Sequence, residues 1–320
     1  MIELQTIWGW QPALYLFLGG MGAGTFVVAG IVRFATMSHK RTICIAMWCA
    51  IAFLAIGLGL LLLELSAPFR ALMMWQSFSN LGSSWMALGA WLLFGAIVCC
   101  GVAAASNTEP LCAVLKISAK AQKTLGALFT SIGMALSLCV AVYTGVLLMQ
   151  AEGVPFWSTG LLPLLFTVSA LDTGVGFFGI VLTAFEPNSH GVSRKLEIAT
   201  ISLIACETVT LVAFLSFMLS GGNPLFETME PGYGATAAAS ARCWLDGSLA
   251  WAFWGLFVVV GLAVPFVLAL VQVICRSKHS RVLSLATAIC VLVGGCTLRF
   301  ITLLAGAHVD IVVNTVASFL

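Results

Sequence analysis

The sequence predicts an all-α integral membrane protein, and composition is the first observation behind this. Of its 320 residues, 61% are hydrophobic and only 8% are charged, whereas a soluble domain carries about a quarter charged residues. The net charge of +2 gives no indication of a nucleic-acid partner. The first long apolar stretch has no small-residue cleavage site after it, so it predicts a spanning helix and not a removed signal peptide.

Hydropathy is the second observation, since about 20 apolar residues suffice to cross a bilayer. Eight transmembrane helices are predicted, at Pro12–Arg33, Thr42–Leu65, Gly82–Ala105, Thr124–Met149, Gly160–Ala184, Leu196–Leu219, Ser248–Cys275 and Val282–Ala305. The glycine run from Gly19 to Gly24 lies inside the first span with no strand before it. We interpret it as a site of close helix packing and not as a nucleotide-binding loop.

Charge is the third observation, because basic residues fall in alternate loops. All but three of the 14 Lys and Arg residues lie there: Arg33, Lys40, Arg41, Lys116, Lys120, Lys123, Arg194, Lys195, Arg276, Lys278 and Arg281. The positive-inside rule predicts that these loops are cytoplasmic and that both termini lie on the outer (periplasmic or extracellular) side. We call the end of each span that meets these loops the basic side.

The predicted outer side has the longest connections, Ser66–Leu81, Gln150–Thr159 and Ser220–Gly247. Five tryptophans fall there, as is typical of an aromatic belt: Trp8, Trp10, Trp75, Trp157 and Trp244. Long irregular loops on one face are candidates for docking another protein, although they also serve as plain connectors.

Histidine and cysteine positions argue against metal chemistry in this chain. A membrane haem needs axial ligands within the bilayer, but His39, His190 and His279 fall in loops and His308 lies beyond the eighth span. The 11 cysteines show no Cys-x-x-Cys spacing. The sequence therefore predicts no haem, no iron–sulfur cluster and no metal site.

One group of polar residues is predicted near the outer ends of the first four spans. It comprises Gln11, Tyr15, Glu64, Arg70 and Tyr143. A phenol, an amide and a carboxyl can donate hydrogen bonds to the two carbonyls of a quinone and relay the protons that its reduction takes up, so these residues predict a quinone site. Tyr15 would equally suit an interface belt, and Glu64 with Arg70 a salt bridge at a helix end.

A second group of polar residues lies deeper, in the last four spans. Asp172 and Glu207 are predicted near mid-membrane, and Arg299 in the outer third of the eighth span. Ionisable residues inside a span are costly and functional by default. They predict a proton path from the cytoplasm through Glu207 and Asp172 toward Arg299, with hydrogen bonding between helices as the alternative role.

Several stretches of the sequence resemble one family, the NrfD-like membrane subunits typified by the polysulfide reductase anchor. They run in order over essentially the whole chain: Tyr15-Leu-Phe-Leu-Gly-Gly-Met-Gly-Ala-Gly24, Glu64-Leu-Ser-Ala-Pro68-Phe-Arg70, Tyr143-Thr-Gly-Val-Leu-Leu, Pro155-Phe-Trp157 leading into Leu161-Leu-Pro163, and Leu298-Arg299-Phe. Each piece alone is weakly specific, but the whole set in this order is fairly specific.

The resemblance implies a fold of two four-helix bundles, at residues 1–155 with the quinone site and at residues 156–320. It implies an anchor subunit in the bacterial cytoplasmic membrane that passes electrons between menaquinone/menaquinol and a ferredoxin-like iron–sulfur subunit, itself bound to a molybdopterin catalytic subunit. By position, Gln11 and Tyr15 match the two polar side chains of span one, where the polysulfide reductase anchor has Asn and His. Tyr143 matches a family tyrosine, and Glu64 the acidic residue before the proline.

The sequence also shows a weak internal repeat and leaves two alternative functions open. Pro12 and Pro163, like Phe26 and Phe177, recur at an offset of 151 residues, which suggests a parallel repeat of the two halves. The main alternative function is a proton-coupled secondary transporter, and a purely structural anchor is the other. Whether the protein itself oxidises quinol or only anchors its partners stays open.

Overall fold

The computed structural model of the protein describes residues 9–36, 39–64, 85–114, 118–151, 153–186, 189–222, 232–274 and 280–307. Within them lie eight helices long and apolar enough to cross a membrane, which confirms the eight predicted spans. In order they are Trp10–Ala35, Lys40–Glu64, Trp85–Asn107, Ala119–Met149, Leu161–Phe185, His190–Leu219, Ala252–Ile274 and Arg281–Leu304. Predicted features outside the described residues are Trp8, the Ser66–Leu81 loop with Arg70 and Trp75, Lys116, Arg276, Lys278, His279 and His308.

Some helices begin earlier than hydropathy predicts. Span four begins at Ala119 and not at Thr124, and span six begins at His190 and not at Leu196. The Ser118 hydroxyl accepts a hydrogen bond from the Ala121 N–H at 3.3 Å and so caps span four. Hydropathy detects only the apolar part of a helix, whereas the helix continues through the polar interface until a capping residue ends it.

The prediction of an aromatic belt is wrong for two tryptophans, Trp157 and Trp244, which are fully buried. Their indole N–H groups donate to the Thr302 and Ile301 carbonyls, both at 2.9 Å. Carbonyls in the last turn of a helix need donors from beyond that helix; the Ala305 N–H donates to the Ile301 carbonyl, and the two indoles supply further donors to the end of span eight. Trp10, 59% exposed, remains compatible with a belt.

The connections that carry these tryptophans are also less irregular than predicted. A helix over Tyr233–Leu245 occupies much of the Ser220–Gly247 connection. In the Gln150–Thr159 connection the side chains from Val154 to Trp157 are buried. Both segments therefore pack against their own protein, which leaves less free loop for a docked partner than the sequence suggested.

Spans one and five form the centre of the molecule. Span one packs against spans two, four, five and eight, and span five packs against spans one, two, four, six and eight. A Cβ atom added to Gly24 would lie 1.9 Å from the Ala170 carbonyl oxygen, and one added to Gly174 would lie 2.2 Å from the Gly24 carbonyl carbon. The two backbones are thus in contact, so the glycine run packs helices as predicted.

Because spans one and five join the two halves, the division into bundles at residues 1–155 and 156–320 stays a prediction. The outer location of both termini also stays a prediction that rests on the loop charges.

Span seven changes its helical type along its length. Residues Ala252–Ala263 form a π-helix, and Val264–Ile274 continue as an α-helix. A π-helix of this length is rare. In it, Gly261 passes so close to span eight that an added Cβ would lie 2.5 Å from the Gly294 Cα.

An aromatic cluster closes the end of spans five to eight that is remote from the basic side. The ring centroid of Phe156 lies 5.1 Å from that of Phe214 and 5.1 Å from that of Trp244. The ring of Trp244 stacks on that of Phe253, with their centroids 5.4 Å apart. All four side chains are at most 2% exposed. We call these four residues the aromatic plug, because they fill this end of the second half with apolar rings.

Candidate quinone site and buried charge cluster

Tyr15 and Tyr143, from spans one and four, line one cavity of about 80 Å³. Its walls come from the first four spans and comprise Tyr15, Leu16, Gly19, Leu61, Gly89, Ala90, Leu93, Val140, Tyr143, Thr144 and Leu147. The volume equals that of about two or three water molecules. A quinone ring therefore needs the lining to open, while the surrounding leucines offer an apolar surface for a tail.

A single glycine sets the position of Tyr143. A Cβ atom added to Gly89 in span three would lie 1.9 Å from the Tyr143 Cζ, so the phenol ring rests directly on the glycine backbone. The Tyr143 hydroxyl donates to the Trp85 carbonyl oxygen at 3.0 Å. Sequence reasoning missed Gly89, because nothing in the sequence shows which side chain a glycine receives.

The other predicted quinone ligands stand apart from this cavity. Gln11 is half-buried in the first turn of span one and is not among the lining residues. Glu64 is the last residue of span two, one turn after Leu61 of the cavity wall, and its side chain lies outside the described part of the structure, as does Arg70. The structure thus brings together Tyr15 and Tyr143 of the five predicted residues.

The second predicted group forms a cluster around Arg299, which is fully buried. Its guanidinium donates to the Ser169 hydroxyl at 2.5 Å, to the Phe166 carbonyl at 3.0 Å and to the Gly295 carbonyl at 3.1 Å. Its Cζ also lies 4.8 Å from the centroid of the Phe166 ring. Span eight is therefore tied to span five by one buried cation.

Two carboxyls complete this charge cluster, which we define as Ser169, Asp172, Glu207 and Arg299. Glu207 interacts electrostatically with Arg299 and lies beside Ser169, and Asp172 is the electrostatic neighbour of Glu207. Asp172 is 2% exposed and Glu207 3%. The structure thus places the predicted proton-path residues side by side, and Arg299 belongs to the same group and does not stand apart further out.

The charge cluster is incompletely satisfied within the described part of the chain. Asp172 Oδ1, Glu207 Oε1 and Arg299 Nε are buried and have no hydrogen-bond partner among the described residues. Leaving such an atom unpaired costs about 1–3 kcal/mol, so native structures keep few of them without a role. The two carboxyl oxygens can bind a water molecule or a transferred proton, and the Arg299 Nε–H can donate to a water molecule.

A further polar group, missed in the sequence, lies nearer the basic side. The Ser284 hydroxyl is 2.8 Å from Gln272 Oε1 and 3.1 Å from Glu197 Oε1, and Glu197 and Gln272 are each 6% exposed. We call these three residues, from spans six, seven and eight, the basic-side polar cluster. A cavity of about 30 Å³ beside them, also lined by Thr200 and Thr287, has room for a water molecule.

Helix geometry aligns the two clusters along span six. Glu197, Thr200, Ile204 and Glu207 are all buried, and their spacing of three, four and three residues puts them on one helix face. Glu197 and Glu207 are about 15 Å apart along the axis. Ile204 and the buried Val291 of span eight separate the clusters, so a proton moving between them needs water to enter this apolar step.

Span one alone separates the tyrosine cavity from the charge cluster. Gly19 lines the cavity, whereas a Cβ added to its neighbour Gly20 would lie 3.4 Å from Arg299 Nη2. Because neither glycine has a side chain, only the thickness of one helix backbone lies between the two sites. A charge that forms in the cavity therefore acts on Arg299 across a short, poorly screened distance.

An ion pair at the basic side connects the two halves outside the spans. Glu186, directly after span five, pairs with the His39 imidazole and lies 3.4 Å from the Thr42 N–H. Burial raises the pKa of Glu186, but the hydrogen bonds from His39 and Thr42 outweigh burial and leave this pKa below its ordinary value.

Among the residues that the structure describes, no group of three or more His, Cys, Asp or Glu side chains is arranged to hold a metal ion. That the whole protein lacks haem and iron–sulfur clusters stays a prediction of the sequence.

Eight apolar helices with ionisable side chains buried among them define a multi-pass membrane protein. The chain belongs to the NrfD family, since the family model described as "Polysulphide reductase, NrfD" matches residues 3–311. It is 31% identical over 314 residues to the C subunit of the polysulfide reductase of Wolinella succinogenes, covering 94% of each protein. It is 27% identical over 323 residues to protein NrfD of Escherichia coli strain K12, covering 94% of this chain and 95% of that protein. The family predicted from the motifs is thereby confirmed.

Proposed function

We propose that this protein is the membrane anchor of a polysulfide-reductase-type complex and passes electrons between menaquinol and a ferredoxin-like iron–sulfur subunit. The family supports this role, and one relative is a named subunit of a polysulfide reductase. The observation that carries the quinone part is the cavity with Tyr15 and Tyr143 at the same end of the first four spans. A molybdopterin subunit would perform the terminal chemistry.

In this proposal the two phenols bind the two quinone carbonyls. Tyr143 exchanges its hydrogen bond to the Trp85 carbonyl for one to the ring, and the small cavity widens as the ring enters. Glu64, one turn beyond Leu61, exchanges protons with the outer aqueous phase. Arg70 and Gln11 are proposed to complete the polar surroundings of the head group.

The anchor role is tested by purifying the tagged protein in mild detergent and identifying what accompanies it. We expect an iron–sulfur protein and a molybdopterin protein in stoichiometric amounts, and menaquinol-dependent reduction of the iron–sulfur protein. Recovery of a stable protein alone, with no bound quinone and no partner, contradicts the proposal.

We further propose that the second four spans conduct protons from the basic side to the charge cluster. Buried carboxyls at both Glu197 and Glu207 support this, because each can hold a proton where bulk water does not reach. The Ser284 hydroxyl has one proton for two acceptor oxygens, so a protonated Glu197 would complete the basic-side polar cluster. The aromatic plug blocks the direct way out of the second half, so a proton that crosses the membrane leaves the charge cluster toward the tyrosine cavity, past Gly19 and Gly20 of span one.

Proton conduction is tested in liposomes that contain the complex, by following internal pH during menaquinol turnover. Glu197→Gln and Glu207→Gln are expected to abolish proton movement while the complex still assembles. Glu109→Gln, an exposed carboxyl outside the spans, is the control and leaves proton movement intact. Unchanged proton movement in both buried variants contradicts the path.

A proton-coupled transporter is the alternative use of Asp172 and Glu207. It predicts that liposomes containing this protein alone accumulate a solute in response to a proton gradient. The anchor proposal predicts that the protein alone accumulates nothing and that menaquinol turnover requires its partners.

A further inference from the structure

A groove of about 680 Å³ runs along spans one and six at the basic side, with span five as its floor. We call it the span one–six groove. Its lining comprises Val28, Ile31, Val32, Ala35, Thr36, His39, Val175, Ser189, Gly191, Val192, Lys195, Leu196 and Ala199. Small-molecule sites commonly have volumes of about 300–1,000 Å³, so this groove has the size of a ligand site.

The body of the groove is aliphatic. Val28 and Val32 from one side and Val192 and Leu196 from the other face each other over Val175. From Val28 to Thr36 the wall extends about 12 Å along the helix axis, close to the thickness of one hydrocarbon leaflet, which is about 15 Å. The shape and length suit an extended acyl chain.

The rim of the groove is polar and basic. Lys195, His39 and Ser189 line it where the spans reach the basic side. Lys195 is exposed, and the structure records no acidic partner for it among the described residues. The carboxylate of Glu186 is nearby but is compensated by His39 and by the Thr42 N–H. The Ser189 hydroxyl already donates to the Glu186 carbonyl at 2.7 Å, so the rim presents one available ammonium at head-group height.

We propose that the span one–six groove binds an anionic phospholipid, with one acyl chain against Val32 and Leu196 and the phosphate at Lys195. Basic pockets between spans on the cytoplasmic side favour anionic head groups. A quinone ring has no negative charge to match Lys195, and a zwitterionic lipid adds a choline that the ammonium repels. Anionic lipid thus satisfies both the apolar body and the basic rim.

A second contact between the halves, that of spans two and five, has no such open groove. Spans two and five pack against each other, and Phe53 meets Phe177 there edge to face at 4.8 Å between centroids. The two rings fill the space between spans two and five, whereas the valines and alanines between spans one and six leave the corresponding space open. The contact between spans two and five therefore lacks the apolar volume that lies beside Lys195 between spans one and six.

The test uses native mass spectrometry of the purified protein, with its partners, titrated with phosphatidylglycerol, phosphatidylcholine or menaquinone. We expect retention of one phosphatidylglycerol in preference to phosphatidylcholine. Lys195→Gln should weaken phosphatidylglycerol binding about fivefold and leave phosphatidylcholine unchanged. Ala199→Phe fills the groove and should abolish the tightly bound lipid. Lys120→Gln and Ala184→Phe, exposed positions outside the groove, are the controls.

Equal retention of both lipids, or the same weakening by Lys120→Gln as by Lys195→Gln, overturns the proposal in favour of non-specific lipid contact. Displacement of the bound lipid by menaquinone overturns it in favour of a quinone site. Neither result depends on the tyrosine cavity, so the proposed electron-transfer function is tested separately.

Discussion

The two halves of the molecule bury different chemistry. Among the described residues, the buried polar side chains of the first four spans are all hydroxyls: Tyr15, Thr25, Thr42, Ser106, Thr130, Ser137 and Thr144. The last four spans bury hydroxyls as well, but they add Asp172, Glu197, Glu207, Gln272 and Arg299. Charge inside the membrane is therefore concentrated in the second half.

The two halves satisfy the hydrogen bonds of their buried polar groups in different ways. Thr25 donates to the Met21 carbonyl at 2.7 Å and Thr130 to the Gly126 carbonyl at 2.6 Å, each within its own helix. A carboxylate has no proton to donate to its own helix, and Arg299 places only one of its hydrogen bonds there, to the Gly295 carbonyl, so these groups need partners on other spans. The first half thus suits a neutral ligand such as a quinone, and the second half suits the movement of charge.

The largest expected effect tests the first half at Tyr143. Tyr143→Phe keeps the ring on Gly89 but removes the hydroxyl, so menaquinol oxidation should fall by about 10²–10⁴-fold, as for loss of one acid–base group. The measurement is the turnover of the intact complex with a soluble menaquinol analogue. Tyr233→Phe, a buried tyrosine of the second half, is the control. Near-normal turnover in Tyr143→Phe would remove the quinone site from this cavity.

Replacing Arg299 tests the role of the charge cluster in the second half most directly. Arg299→Leu removes the hydrogen bonds to Ser169 and Phe166 and leaves Glu207 without its cation. Breaking a buried charged pair on one side costs about 3–5 kcal/mol, which should lower the melting temperature in detergent markedly. Arg242→Gln, an exposed arginine on the short helix, should have little effect. If the two variants melt alike, Arg299 does not hold spans five and eight together.

Sequence reasoning predicted the spans well because bilayer thickness and hydropathy act on each segment independently of its neighbours. It also found Asp172, Glu207 and Arg299, since an ionisable residue is conspicuous in an apolar stretch. It did not find that these three meet, because which faces of spans five, six and eight are in contact is a property of packing.

The wrong and missing sequence predictions also concern packing between segments. The position of Trp157 and Trp244 along the sequence predicts a lipid belt, but their burial depends on how the connections opposite the basic side fold over span eight. Glu197 and Gln272 lie near the ends of their spans, where polar residues are ordinary, so no pattern in the sequence distinguishes them. Gly89 is one glycine among 31.

A glycine contact between the halves leads to a prediction of an intermediate effect on stability. Gly24→Ala places a methyl group against the Ala170 carbonyl in the contact between spans one and five, and overpacking of this kind costs about 1–3 kcal/mol. The melting temperature of the detergent-solubilised protein should fall accordingly. Gly179→Ala, in span five with open space around its Cα, is the matched control and should melt like the unmodified protein. Equal stability of both variants would contradict backbone contact between the halves.

The smallest expected effect concerns Glu186, the carboxyl at the basic side that is paired outside the membrane. Because its pKa in the folded protein is below the ordinary value of 4.5, its contribution to stability is present above that value and is lost as pH falls through the lowered pKa. The contribution is under about 1 kcal/mol, since the pair is partly exposed. Melting temperatures measured from about pH 7 down to about pH 3, well below the ordinary pKa of 4.5, should therefore decline slightly less steeply in Glu186→Gln than in the unmodified protein. Glu109→Gln is the comparison: pairing with Lys40 also lowers the pKa of Glu109, so its effect has the same sign, and full exposure should make it smaller still. If Glu186→Gln destabilises the protein as strongly as Arg299→Leu, the contrast between solvated and buried charge does not hold, and the His39 pair holds the halves together as strongly as the charge cluster does.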